Sequence, residues 1–211
     1  MEEKYRSVKP GDIVTLSDFQ TEMDFGGPTD FEIVRKRHYT HKLFEMICCD
    51  LENEQAGLML MIKEVDRVCE LRVYVLDHEG TKKELKEDGW EHWEEDGDRL
   101  FPAFSAEIPA DESLEEGQKK EDGFLTVTFR QKSFGAFYDV AVCDITGDED
   151  RDNQDSERIT TVGEYVTDQE VMNPEAFIEW SGDYEGGWVE VYYGAQVQPS
   201  HLEIFSVSNF S

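Results

Sequence analysis

The sequence predicts a mainly β protein, built of antiparallel meanders that form a sandwich or open, barrel-like sheets, with few short helices. Three observations carry that expectation. Apolar and polar residues alternate in many short runs, the pattern of half-buried strands. Clusters of Gly, Pro, Asn and Asp separate those runs and supply turn chemistry. Helix signals are scarce. The composition supports a packed core: 38% of the 211 residues are hydrophobic and 12% aromatic, more than disordered chains carry.

Taken in chain order, "DIVTLSDF" alternates Ile13 and Thr15 against Val14 and Leu16 and predicts a first strand. "MDFGGPTD" then reads as a turn. "DFEIVRKRHYTHKLFEMICCDL" contains two strand-like stretches, Phe31 to Arg37 and Leu43 to Cys49. "ENEQAG" reads as a hairpin loop leading into "LMLMIKEV". "CELRVYVLDHEGTKKELKEDG" reads as a hairpin with "DHEG" at its turn. Further on, "FLTVTFRQKSFGAFYDVAVCDI" predicts two strands broken at Ser-Phe-Gly, another begins near Ile159, and "GGWVEVYYGAQVQPSHLEIFSV" predicts the last two. "PADESLEEGQ" predicts a short acidic helix. "NPEAFIEWSG" stays open between helix and strand, with Asn173 and Pro174 in capping positions but a loose alternation beneath.

The segments Phe44–Tyr74 and Phe177–Phe205 share an order of apolar strand, acidic turn ending in Gly, alternating strand, break and last strand. Duplication and shared hairpin chemistry both account for such likeness. Three acidic connectors separate the strand blocks, and the middle one sets the expected boundary. We therefore expect a β-rich half over 1–108, a connector over 109–122 and a second β-rich half over 123–211, with the halves free to share one core.

The net charge is −29, from 49 acids against 20 bases. It is uneven: residues through Val75 hold 15 acids and 10 bases, and the rest hold 34 and 10. Such a field repels nucleic acid and anionic membranes and attracts cationic proteins. Three explanations compete: solubility, as in a salt-loving host; an acidic docking surface; and mimicry of a nucleic-acid backbone. Lys as common as Arg, and Glu in excess of Asp, argue against a strongly halophilic origin.

No apolar run reaches the ~20 residues of a membrane helix, and the N-terminus lacks a basic-then-apolar leader, so the expected location is cytoplasmic without membrane insertion. Cys48, Cys49, Cys69 and Cys143 form no CxxC pair and read as reduced, small apolar residues.

Chemical motifs are few. Asp148, Asp150 and Asp152 match the first three ligand positions of a calcium loop, but Asp155 stands where an apolar residue belongs and Ile159 where a bidentate Glu belongs. They are weak metal candidates only, and no metal is assigned. His38 and His41 of "HYTH" would point apart on a strand, which disfavours a zinc site. No GxSxG, P-loop, HExxH or GxGxxG is present, and His92 has no nucleophile beside it, so no catalytic residue and no cofactor is assigned.

The basic island "RKRHYTHK" offers Arg35 and Arg37 to a partner, to the acidic half of this or a neighbouring chain, or simply to solvent on a strand face. The aromatics Trp90, Trp93, Tyr184 and Trp188 stand among acids and are candidate anchors for a protein partner, against the alternative of core and edge packing.

"KPGDIVTL" followed by "FEIVRKRHYTHKLFEMICCDLENEQAGLMLMIKE" resembles, over roughly the first third of the chain, a family of bacterial and archaeal β-rich domains of unknown function (domain of unknown function 4178). Those domains often carry Trp-Glu-Tyr where this chain has "LFEMI" and Trp-Leu where it has "LMLMI". The resemblance implies an all-β domain without known catalysis, an accessory to a multi-protein system, and it transfers no functional residue.

The sequence thus points to a non-enzymatic acidic interaction or accessory protein that binds a cationic protein partner, makes no direct contact with nucleic acid and is capable of self-association. The alternatives are an acidic nucleic-acid mimic that inhibits a DNA- or RNA-binding protein, and an enzyme of unknown class.

Overall fold

The computed structural model describes residues 3–17, 28–75, 103–109, 124–132, 137–145, 158–167, 175–181 and 188–206. They form one α-helical turn, α1 (Glu3–Arg6), a 3-10 turn (Pro199–His201) and twelve strands. The strands are β1 (Ile13–Leu16), β2 (Thr29–His41), β3 (Phe44–Glu52), β4 (Gly57–Val65), β5 (Val68–Val75) and β6 (Ala103–Pro109). They continue with β7 (Phe124–Gln131), β8 (Phe137–Ile145), β9 (Arg158–Val166), β10 (Glu175–Ser181), β11 (Trp188–Gln196) and β12 (Leu202–Phe205). The ambiguous "NPEAFIEWSG" therefore resolves as strand over β10.

All pairings are antiparallel. Eight strands close into a barrel in the order β2-β3-β4-β5-β11-β10-β9-β8 and back to β2. Strands from before and after the 109–122 connector thus share one barrel. They meet at two joints, β5 with β11 and β2 with β8. The first joint needs Gly194: a Cβ there would lie 1.9 Å from the Val73 carbonyl oxygen, so only glycine admits this approach of the two backbones.

Two barrel strands change partner along their length. β2 pairs with β1 over 29–32 and with β8 over 36–40. β9 pairs with β8 over 158–163 and with β7 at 165–166. β12 leaves the barrel to pair with β1. This is where the two similar segments diverge: the β3-β4-β5 meander continues round the barrel, whereas β10-β11 is followed by a strand that crosses to another partner. β6, with Pro109 as its last residue, ends the described strand order, and an edge strand is where a sheet tolerates proline.

The core has two layers. The barrel interior takes Tyr39, Met46, Cys48, Met59, Met61, Tyr74 and Phe177, together with valines of β8 and β9. A second layer covers the outside of β2–β5 and holds Ile47, Cys49, Leu51, Leu58, Leu60 and Val73 under Tyr5, Val8, β1 and Leu202. β3 and β4 are therefore buried on both faces. That is why "MICC" and "LMLMI" read as continuous apolar runs rather than as alternation.

Candidate functional site

A β-bulge decides what the basic island does. The register of β2 against β3 shifts between Ile33 and Arg35. Phe31 and Ile33 face the outer layer, but past the bulge the same parity turns inward. Arg35, Arg37 and Tyr39 thereby enter the barrel, and Lys36 points out beneath α1. Its Nζ donates to the carbonyls of Arg6 at 2.7 Å and Val8 at 2.9 Å, satisfying groups that the end of the helical turn leaves open.

Inside the barrel, Arg37 is 2% exposed and Glu179 0%. Arg37 Nη1 donates to Glu179 Oε2 at 2.6 Å and Nη2 to Asp50 Oδ1 at 2.5 Å. The Tyr39 hydroxyl donates to the same Glu179 oxygen at 2.7 Å. Burial pushes the Tyr39 pKa well up, so it stays a neutral donor. Burial alone would lower Arg37, but Tyr39, Asp50, Tyr192 and Glu179 around it hold it well above its ordinary value. Arg35, half-exposed, donates to Asp144 Oδ2 at 2.8 Å. The basic island is thus matched by acids of the same chain, from β3, β8 and β10.

A second ionic layer closes the other end. Lys63 pairs with Glu164, and Arg72 pairs with Glu175 and, at 2.7 Å, with Glu70. Lys132 reaches Glu70 at 3.4 Å. Burial would raise the Glu70 pKa, but Arg72 and Lys132 outweigh it and hold it below the usual carboxylate range. Burial, reinforced by the like charges of Lys132 and Arg72, lowers Lys63 to about 8. Between the two layers the Met, Tyr and Phe side chains fill the bore, as side chains can in a barrel of eight strands.

Outside the barrel, a cleft of about 630 Å³ runs between the N-terminal segment and β12. Lys4, Tyr5, Val8, Lys9 and Asp12 form one wall, and residues 202–206 the other. "KPGD" builds this wall as a tight turn. The Asp12 N–H donates to the Lys9 carbonyl at 3.1 Å, Pro10 takes the second position, and Gly11 takes the third at φ 87°, a conformation suited to glycine. Asp12 Oδ2 accepts from the Lys9 N–H at 3.0 Å, while the other oxygen, Oδ1, has no partner among the described residues. Asp12 is only 2% exposed, so that unmet acceptor is costly to leave open.

Of the residues singled out from sequence, Arg35 and Arg37 come together with Asp50, Asp144 and Glu179 as described. Trp188 begins β11, paired with Ser181 of β10. Trp90, Trp93, Tyr184, Asp148, Asp150 and Asp152 lie outside the described residues, as does the "PADESLEEGQ" stretch beyond Pro109, which ends β6. His38 and His41 fall on opposite faces of β2. His38 meets Glu45 at 3.0 Å, and the His41 ring packs on Phe44 and Tyr138. Among the described residues no group of three or more His, Cys, Asp or Glu could hold a metal, and no helix is long and apolar enough to cross a membrane. Sequence reading missed Asp12 and the β12 edge. The only signals were a Pro-Gly-Asp turn and a short final strand.

Compared with family models, curated proteins and solved structures, the chain gives no match.

Proposed function

We propose that this chain is a non-enzymatic interaction protein that binds a protein partner through its outer surface, with its acidity steering the encounter. One observation carries the reading. The described bore of the barrel, where such folds otherwise hold a small ligand, is occupied by the protein's own ion pairs and apolar side chains. Recognition then falls to the outside, where among the described residues a cleft and a sheet edge stand open. The inward-facing acids Asp50, Asp144, Glu175 and Glu179 lie against arginines, which favours this reading over an outward array imitating phosphates for these residues. Four free cysteines fit a cytoplasmic setting.

The test is affinity capture from the native host at low and high salt, paired with native mass spectrometry of the purified chain. A single protein captured at fixed stoichiometry and released by salt supports the proposal. A small molecule carried through purification, with no protein captured, overturns it.

A further inference from the structure

We infer that β12 is a docking edge for an extended segment of a partner protein in which basic and apolar residues alternate. The inference rests on the interaction reading above and specifies its site. In antiparallel pairing, hydrogen-bonded and non-bonded pairs alternate along the ladder. The Ser17 N–H donates to the His201 carbonyl at 2.9 Å, and on the other side of β1 the Ile33 N–H donates to the Asp12 carbonyl at 2.9 Å. Odd residues of β1 therefore bond toward β12, which assigns the backbone groups of His201, Glu203 and Phe205 to β1. The N–H and C=O of Leu202 and Ile204 point the other way, into the cleft, and have no partner among the described residues. An added strand would satisfy them.

The side chains specify the segment. Leu202 is buried and Ile204 packs on the outer layer, so neighbouring inward positions of an added strand call for apolar residues. Glu203 and Phe205 share the exposed face; Phe205 is 44% exposed, one of few large apolar side chains so open among the described residues. A basic residue beside Glu203 makes an opposite-charge cross-strand pair, and the apolar stem of the next basic residue on that face covers Phe205. Asp12 adds a second, independent pointer. It lies one residue before Ile13, the partner of Phe205, so its unmet oxygen sits at the end of the same cleft and calls for a donor such as a second basic side chain. Lys4 and Lys9 line the same cleft as Asp12 and Glu203, and Lys36 feels the Asp12 charge, so attraction from a distance comes from the net charge of −29. The same charge opposes a second copy of this chain as the occupant.

The probe is the peptide acetyl-Val-Lys-Val-Lys-Val-Lys-Val-amide, titrated into the full chain and followed by amide chemical shifts and hydrogen exchange. The block peptide acetyl-Lys-Lys-Lys-Val-Val-Val-Val-amide, of identical composition, is the control. The alternating peptide is expected to bind about tenfold tighter, to slow exchange at Leu202 and Ile204, and to shift residues 4–12 and 202–206. Ile204→Pro removes the edge donor and abolishes this binding; Ile204→Ala, which keeps the N–H, retains it. Asp12→Asn weakens it, and Glu203→Lys transfers preference to the Val-Glu analogue. Equal binding of both lysine peptides, or shifts scattered over the surface with no change at Leu202 and Ile204, overturns the inference. A dimer in sedimentation that Ile204→Pro dissolves gives the edge to a second copy and also overturns it. If a host protein is captured equally by the Ile204→Pro variant, the edge falls while the interaction reading stands.

Discussion

Replacing Arg37 by Met tests whether the inward basic island is structural. Met fills much of the volume of the arginine stem but deprives the fully buried Glu179 of its guanidinium, leaving the Tyr39 hydroxyl donating to it, and strips Asp50 of its closest cation. Removing one member of a buried ion pair costs about 3–5 kcal/mol, because the remaining charge is stranded in a medium that solvates it poorly. The contact of the guanidinium with the Tyr192 ring, 5.7 Å to its centroid, is lost as well and adds up to about 1 kcal/mol. We expect a loss of about 4 kcal/mol. With a urea slope of about 3 kcal/mol/M for a chain of this size, that lowers the unfolding midpoint by about 1.3 M. A double-mutant cycle isolates the pair. In Arg37→Met/Glu179→Gln the stranded charge is gone while Tyr39 keeps an acceptor, so the double variant should be about 2 kcal/mol more stable than Arg37→Met alone. Urea unfolding read by both tryptophan fluorescence and circular dichroism supplies the four free energies. A cost below about 1 kcal/mol for Arg37→Met, or strictly additive losses in the cycle, would refute the account of Arg37 and Glu179 as a coupled pair.

Four further outcomes follow from the structure. Lys63, lowered to about 8 by burial, returns to its ordinary value of ~10.4 on unfolding, so between those limits the unfolded chain binds the extra proton. The cost of burying its charge is full below pH 8 and relieved above it. Wild type should therefore gain about 2 kcal/mol on Lys63→Met between pH 8 and 10, and a flat difference in urea unfolding would count against this. Burial pushes the Cys49 thiol up to about 12 and Cys48 well above its ordinary value. A thiol-disulfide reagent at pH 8 should thus label half-buried Cys69 and Cys143 first, and rapid labelling of all four would contradict the burial. Gly194→Ala drives a Cβ against the Val73 backbone and should cost about 3 kcal/mol, a fall of roughly 6–12 °C in Tm; an unchanged Tm would mean the β5–β11 joint is looser than described. Raising salt from about 0.1 M to about 1 M cuts the screening length from ~10 to ~3 Å, so partner capture should weaken while the unfolding midpoint holds or rises; a midpoint that falls would place the stabilising ion pairs at the surface.

Strand identity was legible in the sequence wherever one face meets solvent. β1, β7, β8, β9, β11 and β12 emerge from alternation and turn residues alone. "NPEAFIEWSG" resisted because Asn-Pro suits a helix cap as well as a strand entry, and the tertiary context of β9 and β11 on either side decides it. β6 went unread because "FPAF" carries a proline and stands among acids, and an edge strand needs little intrinsic preference once a neighbour pairs with it. What sequence could not deliver was facing. The residues alone leave Arg35 and Arg37 open between a partner, the acidic half of this or a neighbouring chain, and solvent; the one-residue bulge after Ile33 turns them inward onto acids of the same chain. No local signal marks that bulge. It becomes visible only when Leu51 and Asp50 are known to stand opposite. Barrel closure was equally hidden, since it depends on pairings between residues more than a hundred positions apart, such as His38 with Cys143.

Where the acidity lies bears on what it does. The described residues hold 19 acids and 13 bases, a net of −6 within the chain's −29, so most of the excess belongs to the segments between the strands. Within the barrel, acids are spent on arginine and lysine: Glu179 and Asp50 on Arg37, Asp144 on Arg35, Glu164 on Lys63 and Glu175 on Arg72. All but the half-exposed Arg35 pair sit away from bulk water, where salt screens them little, and they fix which strands meet. Residues outside the described ones carry most of the acidic surplus, and a surplus of one sign destabilises a compact chain through its own repulsion. Its retention is explained if it serves something outside the barrel. A field of that sign concentrates basic segments around the molecule, and the β12 edge beside Glu203 and Asp12 offers such a segment a place to be held by backbone hydrogen bonds rather than by charge alone.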